Sequence, residues 1–265
     1  MHRPLPEGSV IKTCTISKKA DGWYAALSLE VPATEKPVHK GEAVGVDVGL
    51  TSFVALSNGE TVPAPKFLRK AECRIKRAQR ILSRRKKGSK RRAKQRKRVA
   101  RLHCQIAHKR NDFQWKLATD LARQFSLIAV EDLNVRGMVR NHRLAKSISD
   151  AAWSAFLRTK LDHAVVKTGS MIVYVNARNT TKTCSICGWI WESMTLGDRV
   201  FQCEKCGLVL DRDVNAAKNI LNLGVRADSP ELTLGETRTS AFRYRRKVSP
   251  VVEPRTVPES ASYVT

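Results

Sequence analysis

No run of apolar residues in this sequence is long enough to cross a bilayer. The longest, such as SLIAV at 126–130 and MIVYV at 171–175, fall far short of the ~18 residues a membrane-spanning helix needs. The first residues, MHRPLPEG, have no apolar signal core. The expectation is a soluble chain of a prokaryotic cytoplasm with no membrane partner. Cysteine is sparse: there are seven, and four of them stand in two Cys-x-x-Cys pairs, which suits a metal site in a reducing compartment better than a disulfide framework. None of the six histidines lies in a His-apolar-His pair, which excludes the metal ligands of a tyrosine transposase. The single NHR at 141–143 is too little for an HNH nuclease. No internal repeat is evident.

Acidic residues are nearly absent from one stretch. Between Lys66 and Arg110 there are 21 Lys/Arg and one acid, Glu72, so this block carries most of the formal net charge of +25. Within it Leu68, Ala71, Ile75, Ala78 and Leu82 recur at steps of three and four. Val99, Leu102, Ile106, Phe113 and Leu117 resume the rhythm after a break at KKGSKR. That spacing predicts an antiparallel helical pair with one face packed on something, rather than a disordered tail. Its outer faces, with Arg84, Arg85, Lys86, Lys87, Lys90, Arg91 and Arg92 around the turn, are expected to bind a nucleic-acid backbone.

The rest of the 265 residues divides by pattern. Residues 9–31 read as a β-hairpin turning at KADG, followed by a proline-containing, charged linker. AVGVDVG, SFVALS and the segment around ETVPA predict three strands, with Asn58-Gly59 as a hairpin turn. SLIAVED predicts a buried strand with an acidic end. SDAAWSAFLRTKLDHAVVKTG predicts a helix capped by Ser149/Asp150 and closed by Gly169, and SMIVYVN a further strand. From 223 to 265 the composition turns to Pro, Ser, Thr, Arg and Glu without periodicity, which predicts disorder.

Cys184-x-x-Cys187 and Cys203-x-x-Cys206, fifteen residues apart, have the spacing of a four-cysteine zinc ribbon. Gly188 and Gly207 permit the knuckle turns. Four protein ligands close the site, so this Zn²⁺ is expected to be structural. In AVGVDVG, alternation puts Gly45, Asp47 and Gly49 on one strand face, leaving Asp47 on a surface bare of other side chains, with room for a metal ion and a phosphate. Glu131 ends the next long strand in the same way. Asp211 and Asp213 open the helix in LDRDVNAAKNIL, where an acid suits both an N-cap and the helix dipole.

Asp47, Glu131 and Asp213 thus stand in order on a strand, a strand end and a helix start, as in the metal sites of RNase H-like nucleases. GVDVGL, AVEDLN, LAKSISDAAW, TCSICG, FQCEKCG and DRDVNAAKNIL resemble, in order, the signatures of the TnpB (OrfB) family encoded by insertion sequences. That family is related to the effector nucleases of type V CRISPR systems. The resemblance covers roughly residues 9–222 and implies an α/β fold: an RNase H-like (RuvC) mixed sheet with a long basic helical hairpin and an inserted zinc ribbon.

The resemblance implies that Asp47, Glu131 and Asp213 are the catalytic acids and ligands of Mg²⁺ or Mn²⁺, with Asp132 and Asp211 supporting or capping groups. It implies metal-dependent DNA cleavage guided by an RNA, linked to transposition, with a transposase of the same element as a further partner. Expected boundaries are a remnant hairpin of an N-terminal β-barrel with its linker at 1–40, a nuclease core at 41–183 with the basic insertion at 66–125, the ribbon at 184–206, a last helix at 207–222 and the tail from 223. Full-length members of the family carry a longer N-terminal region. The alternative is a non-cleaving, zinc-ribbon nucleic-acid-binding protein, truncated or regulatory.

Overall fold

The computed structural model describes residues 4–32, 39, 41–176, 178–195 and 197–228. The expected disorder of the tail falls, from 229 onward, outside the described residues. β1 (Val10–Lys18) and β2 (Trp23–Glu30) form the N-terminal antiparallel hairpin, closed by a bond from Lys19 N to Gly22 O of 2.8 Å. Next come β3 (Glu42–Val48), β4 (Ser52–Leu56) and β5 (Thr61–Pro63), an antiparallel meander.

The basic block then forms α1 (Phe67–Ser83) and α2 (Lys90–Gln124). Ser89 caps α2 by accepting from Arg92 N at 3.1 Å, which explains why the helix restarts directly after the break at Gly88. At 35 residues, α2 spans roughly 50 Å. Its first half packs on α1 around Ile75, Ala78 and Ile106, and its last turns, with Ala118, Leu121 and Ala122, pack on the sheet.

The chain returns to the sheet as β6 (Phe125–Glu131), parallel to β3. Short helices α3 (Val135–Met138), α4 (Ala145–Ala151) and α5 (Trp153–Ala155) lead into a π-helical segment (Phe156–Leu161) and α6 (Asp162–Thr168). β7 (Met171–Val175) pairs parallel with β6, so the five-stranded mixed sheet has the order β5-β4-β3-β6-β7. β8 (Val200–Gln202) and β9 (Val209–Asp211) make a separate ribbon, and α7 (Arg212–Asp228) follows at once.

Both faces of the sheet are covered, which accounts for the near-continuous apolar runs of β3 and β6. One face, with Val44, Val46, Ile128 and Val130, packs on α2, the π-helical segment and α6. Phe53 meets Phe113 and Phe156 edge-on there, at 5.2 and 5.1 Å. The other face carries α7 through Ile220 against Ala129, Val173 and Val175. Gly45 is the closest approach: a Cβ there would lie 1.9 Å from Ala217 O. The bareness beside Asp47 therefore serves, at Gly45, the packing of a helix backbone and not a phosphate.

Two expectations about helices need correction. The segment 149–169 is not one helix capped by Ser149/Asp150: both residues lie inside α4, and the chain breaks at Ala152, which is left-handed with φ 51°. Asp150 does cap a helix, but another one, its Oδ2 accepting from Leu68 N of α1 at 3.0 Å. The expected stop at Gly169 is present, with φ 79°. The final helix runs on to Asp228, six residues past the expected 222, because Gly224 still packs on Ala129.

Candidate functional site

β3 and β6 run parallel with Val46 opposite Val130, so Asp47 and Glu131 follow one step later on neighbouring strands, at their carboxyl ends. Alternation puts Asp47 on the face of Gly45 and Glu131 on that of Ala129, and both of these pack against α7. Asp213 sits in the first turn of α7, beside the end of β3: a Cβ on Gly49 would lie 3.9 Å from Asp213 Oδ2. Three carboxylates far apart in sequence are thus brought to one end of the sheet.

Their electrostatics agree. Burial, and then the negative charges of Asp213 and Glu131, push the Asp47 carboxyl up to about 8, against a weaker opposing pull from Arg212. Glu131 is also raised, first by burial and then by Asp132. Hard oxygen donors of this kind, buried close to one another, suit Mg²⁺ or Mn²⁺. The oxygens of the three acids do not all lie within 4.8 Å of one another.

Sequence reasoning missed one member of this neighbourhood. Arg212 Nε and Nη2 both donate to Asp213 Oδ1, at 3.1 and 3.0 Å, and Nη1 donates to Asp198 O at 2.9 Å. Both side chains are largely buried, 11% and 18% exposed. The two companion acids have separate tasks. Asp211 Oδ1 accepts from Asp213 N at 2.9 Å and Val214 N at 3.1 Å, so it is the N-cap of α7 and leaves Asp213 to face the strands. Asp132 pairs with Arg158, whose guanidinium lies 3.7 Å from the Tyr174 ring centroid. The Tyr174 hydroxyl donates to Asp162 Oδ1 at 2.6 Å.

The four cysteines converge. Cys184 Sγ and Cys206 Sγ are 3.6 Å apart, and Cys187 Sγ and Cys203 Sγ 3.4 Å. Zn–S bonds of ~2.3 Å at tetrahedral angles would space the sulfurs about 3.8 Å apart, so the donor set fits such an ion. The two knuckles match: Gly188 N donates to Cys184 O at 3.1 Å and Gly207 N to Cys203 O at 2.9 Å, both glycines having φ 74°. Asn215 and Asn219, one turn apart on α7 and nearly fully buried, hold the first knuckle. Asn215 accepts from Ser185 N at 3.0 Å and donates to Thr183 O at 2.7 Å, and Asn219 donates to Thr180 O and Thr183 O at 2.8 and 2.7 Å. Two asparagines at i and i+4 within an otherwise apolar helix face were the available signal.

Around the α1–α2 turn, Arg84, Lys86, Lys87, Lys90 and Arg91 are exposed, and Arg85 is half-buried. None of these six makes a salt bridge among the described residues. Arg92 is half-buried and has a role in the fold: its Nη1 donates to Leu82 O and Arg85 O at 2.9 and 3.0 Å, closing the end of α1. Glu72, the lone acid of the block, pairs with Lys76 and Lys146, both at 2.7 Å, and is held down at about 2 by hydrogen bonds from Lys146 and then Lys76.

Comparison with known proteins follows the same lines. Residues 26–142 match the family described as a probable transposase (OrfB of IS605), and residues 153–220 match the Cas12f1-like TNB domain. A Streptomyces pristinaespiralis protein named "Putative RNA-guided DNA endonuclease" is 42% identical over 86% of this chain and 56% of its own length. InsQ of Escherichia coli K12, which carries the same name, is 31% identical over 81% of this chain and 57% of its own. The chain therefore spans just over half the length of these curated relatives. Among solved structures, a CRISPR-Cas12f ternary complex aligns over 82% of this chain and 45% of that one, with a TM-score of 0.52 and 23% identity, which bears on the fold alone. With both family matches in series along one chain and a relative this similar, the protein belongs to the TnpB family.

Proposed function

We propose that this chain carries the nuclease centre of a metal-dependent, RNA-guided DNA endonuclease, on an RNase H-like (RuvC) core. The observation that supports it most is the convergence of Asp47 and Glu131, at the ends of adjacent parallel strands, with Asp213 in the first turn of α7. When bound there, Mg²⁺ or Mn²⁺ supplies Lewis-acid chemistry to a scissile phosphodiester. Asp47, buried beside two further carboxylates, is the ligand with most to gain from a cation. Arg212 holds Asp213 in a fixed rotamer at the edge of the site. The exposed cations of the α1–α2 turn hold a nucleic-acid backbone, and the four cysteines bind Zn²⁺ that fixes the ribbon against the start of α7.

The relatives' name extends the reading to guide RNA and target DNA as partners. Purified protein with its co-purifying RNA should nick or cut DNA in Mg²⁺, and Asp47→Ala should reduce the rate at least a hundredfold while nucleic-acid affinity stays within about twofold. Equal cleavage by the two proteins would rule out the assignment. A non-cleaving, zinc-ribbon binding protein is the second reading. The spacing of the three acids and the engagement of Asp213 by Arg212 favour it, and it predicts RNA and DNA binding with no Mg²⁺-dependent cutting at all.

A further inference from the structure

Away from the acids and the ribbon, a second cluster of metal-ligating side chains joins two elements distant in sequence. Asp21 lies in the turn of the β1–β2 hairpin, and Cys104 and His108 lie one helical turn apart on the same face of α2. Their ligand atoms all fall within 4.8 Å of one another. Cys104 Sγ is 3.8 Å from His108 Nε2, and His108 Nε2 is 3.5 Å from Asp21 Oδ2.

A Cys–His–Asp set invites comparison with a nucleophilic relay, and the geometry decides against that. In a relay the thiol and the carboxylate engage opposite ring nitrogens. Here both face the same nitrogen, Nε2, as happens when three donors point at a common centre. Zn–S and Zn–N bonds of ~2.3 and ~2.0 Å at the tetrahedral angle put S and N about 3.5 Å apart, and N and O about 3.3 Å apart. The observed separations exceed these by only a few tenths of an ångström. Thiolate, imidazole and carboxylate together select a borderline-soft ion over Mg²⁺ or Ca²⁺.

The surroundings already hold the donors near these positions. The Tyr24 hydroxyl donates to Asp21 Oδ2 at 2.6 Å, orienting the carboxylate from outside, as supporting groups do at metal sites. Arg101 Nε donates to Ala20 O at 3.3 Å, docking the turn on α2 beside Cys104. We infer that Asp21, Cys104 and His108 form a three-ligand Zn²⁺ site, separate from the ribbon, that clasps the tip of the N-terminal hairpin to the basic helix α2. Its fourth position is open to water. The consequence is a hairpin whose attachment to the nucleic-acid-binding helix depends on metal.

The test uses the whole chain. Protein is dialysed against a mild chelator until one tightly held equivalent of zinc, that of the ribbon, remains, and Co²⁺ is then added. A thiolate-to-cobalt absorption band is expected in the unmodified protein, lost in Cys104→Ser and at least tenfold weaker in Co²⁺ affinity in His108→Ala. The zinc that each variant retains in the ribbon reports that it has folded. Because Asp21 is in an exposed turn, Asp21→Asn serves as an independent third variant, again with at least a tenfold loss. Absence of the band in the unmodified protein, or an undiminished band in Cys104→Ser, overturns the site. Cobalt absorption is independent of nuclease activity, so failure here leaves the endonuclease reading standing.

Discussion

Arg212 and Asp213 are neighbours in the chain, yet they are joined by two guanidinium nitrogens on one carboxylate oxygen, at 3.1 and 3.0 Å. The same guanidinium holds Asp198 O, across the ribbon. The third acid of the site is therefore tied to the four-cysteine ribbon by its own neighbour. Removing the guanidinium leaves a largely buried carboxylate without its cation, at a cost of about 1–3 kcal/mol. Mg²⁺ would then offset a larger deficit. Arg212→Ala is expected to melt several degrees lower than the unmodified protein without Mg²⁺ and to regain more on its addition. Identical Mg²⁺ shifts in the two proteins would show that Asp213 does not face the ion.

The raised carboxyl of Asp47 has a pH signature. Its folded value of about 8 lies above the ordinary 3.8, so between those limits the folded chain holds a proton the unfolded chain has released. The associated stability is complete below about pH 4 and is lost as pH rises towards 8. Glu131, also raised, adds in the same direction. In Mg²⁺-free buffer the unfolding midpoint in urea is expected to fall between pH 5 and pH 8, the limits being about those set by this window. Asp47→Asn should flatten the profile. Bound Mg²⁺ should flatten it as well, by stabilising the charged form. A midpoint that rises with pH in the unmodified protein would contradict the burial of these acids.

Gly45 fixes how closely α7 lies on the sheet, and through α7 the position of Asp213. A Cβ at 45 would stand 1.9 Å from Ala217 O and 2.7 Å from Leu221 N, both backbone atoms that no rotamer change can move. Gly45→Ala should cost about 3 kcal/mol and displace the helix. Gly22→Ala, where nothing lies within 4 Å, should change stability by no more than about 0.5 kcal/mol. Chemical denaturation of the pair measures the contrast. Similar midpoints for both variants would mean that the helix does not pack at Gly45.

These same residues show which parts of the molecule sequence reasoning reaches. Strands β3, β4 and β6, the α1–α2 pair and the paired cysteines carry period-two, helical or ligand spacing within a few residues, and each lies where its pattern predicts. Asp47, Glu131 and Asp213 are grouped by the resemblance of their motifs, and the register of β3 and β6 supplies the spatial reason for the first two. What stayed hidden depends on packing between distant segments. The left-handed Ala152 carries no local signal, and Asp150 looks like a cap for its own helix until Leu68 is seen donating to it. Gly45 reads as open space because the helix that fills it comes far later in the chain. Asn215 and Asn219 read as breaks in an apolar stripe, although they hold the knuckle carbonyls.

Arg92 and its neighbours separate surface charge from structural charge. Arg84, Lys86, Lys87 and Arg91 are exposed at the α1–α2 turn, whereas Arg92 donates to Leu82 O and Arg85 O. Neutralising these four together should weaken binding to duplex DNA and lower the slope of log affinity against log salt by about 0.9 for each phosphate no longer neutralised. Stability should change little, since exposed cations without acidic partners contribute little to it. Arg92→Ala should do the reverse. Removing two charge-assisted bonds to carbonyls at the end of α1 should cost about 1–3 kcal/mol, with the salt slope nearly unchanged. Binding titrations over a range of salt, paired with urea denaturation of the same proteins, distinguish the two behaviours. A large drop in slope for Arg92→Ala alone would place its guanidinium on the nucleic acid rather than on the helix end.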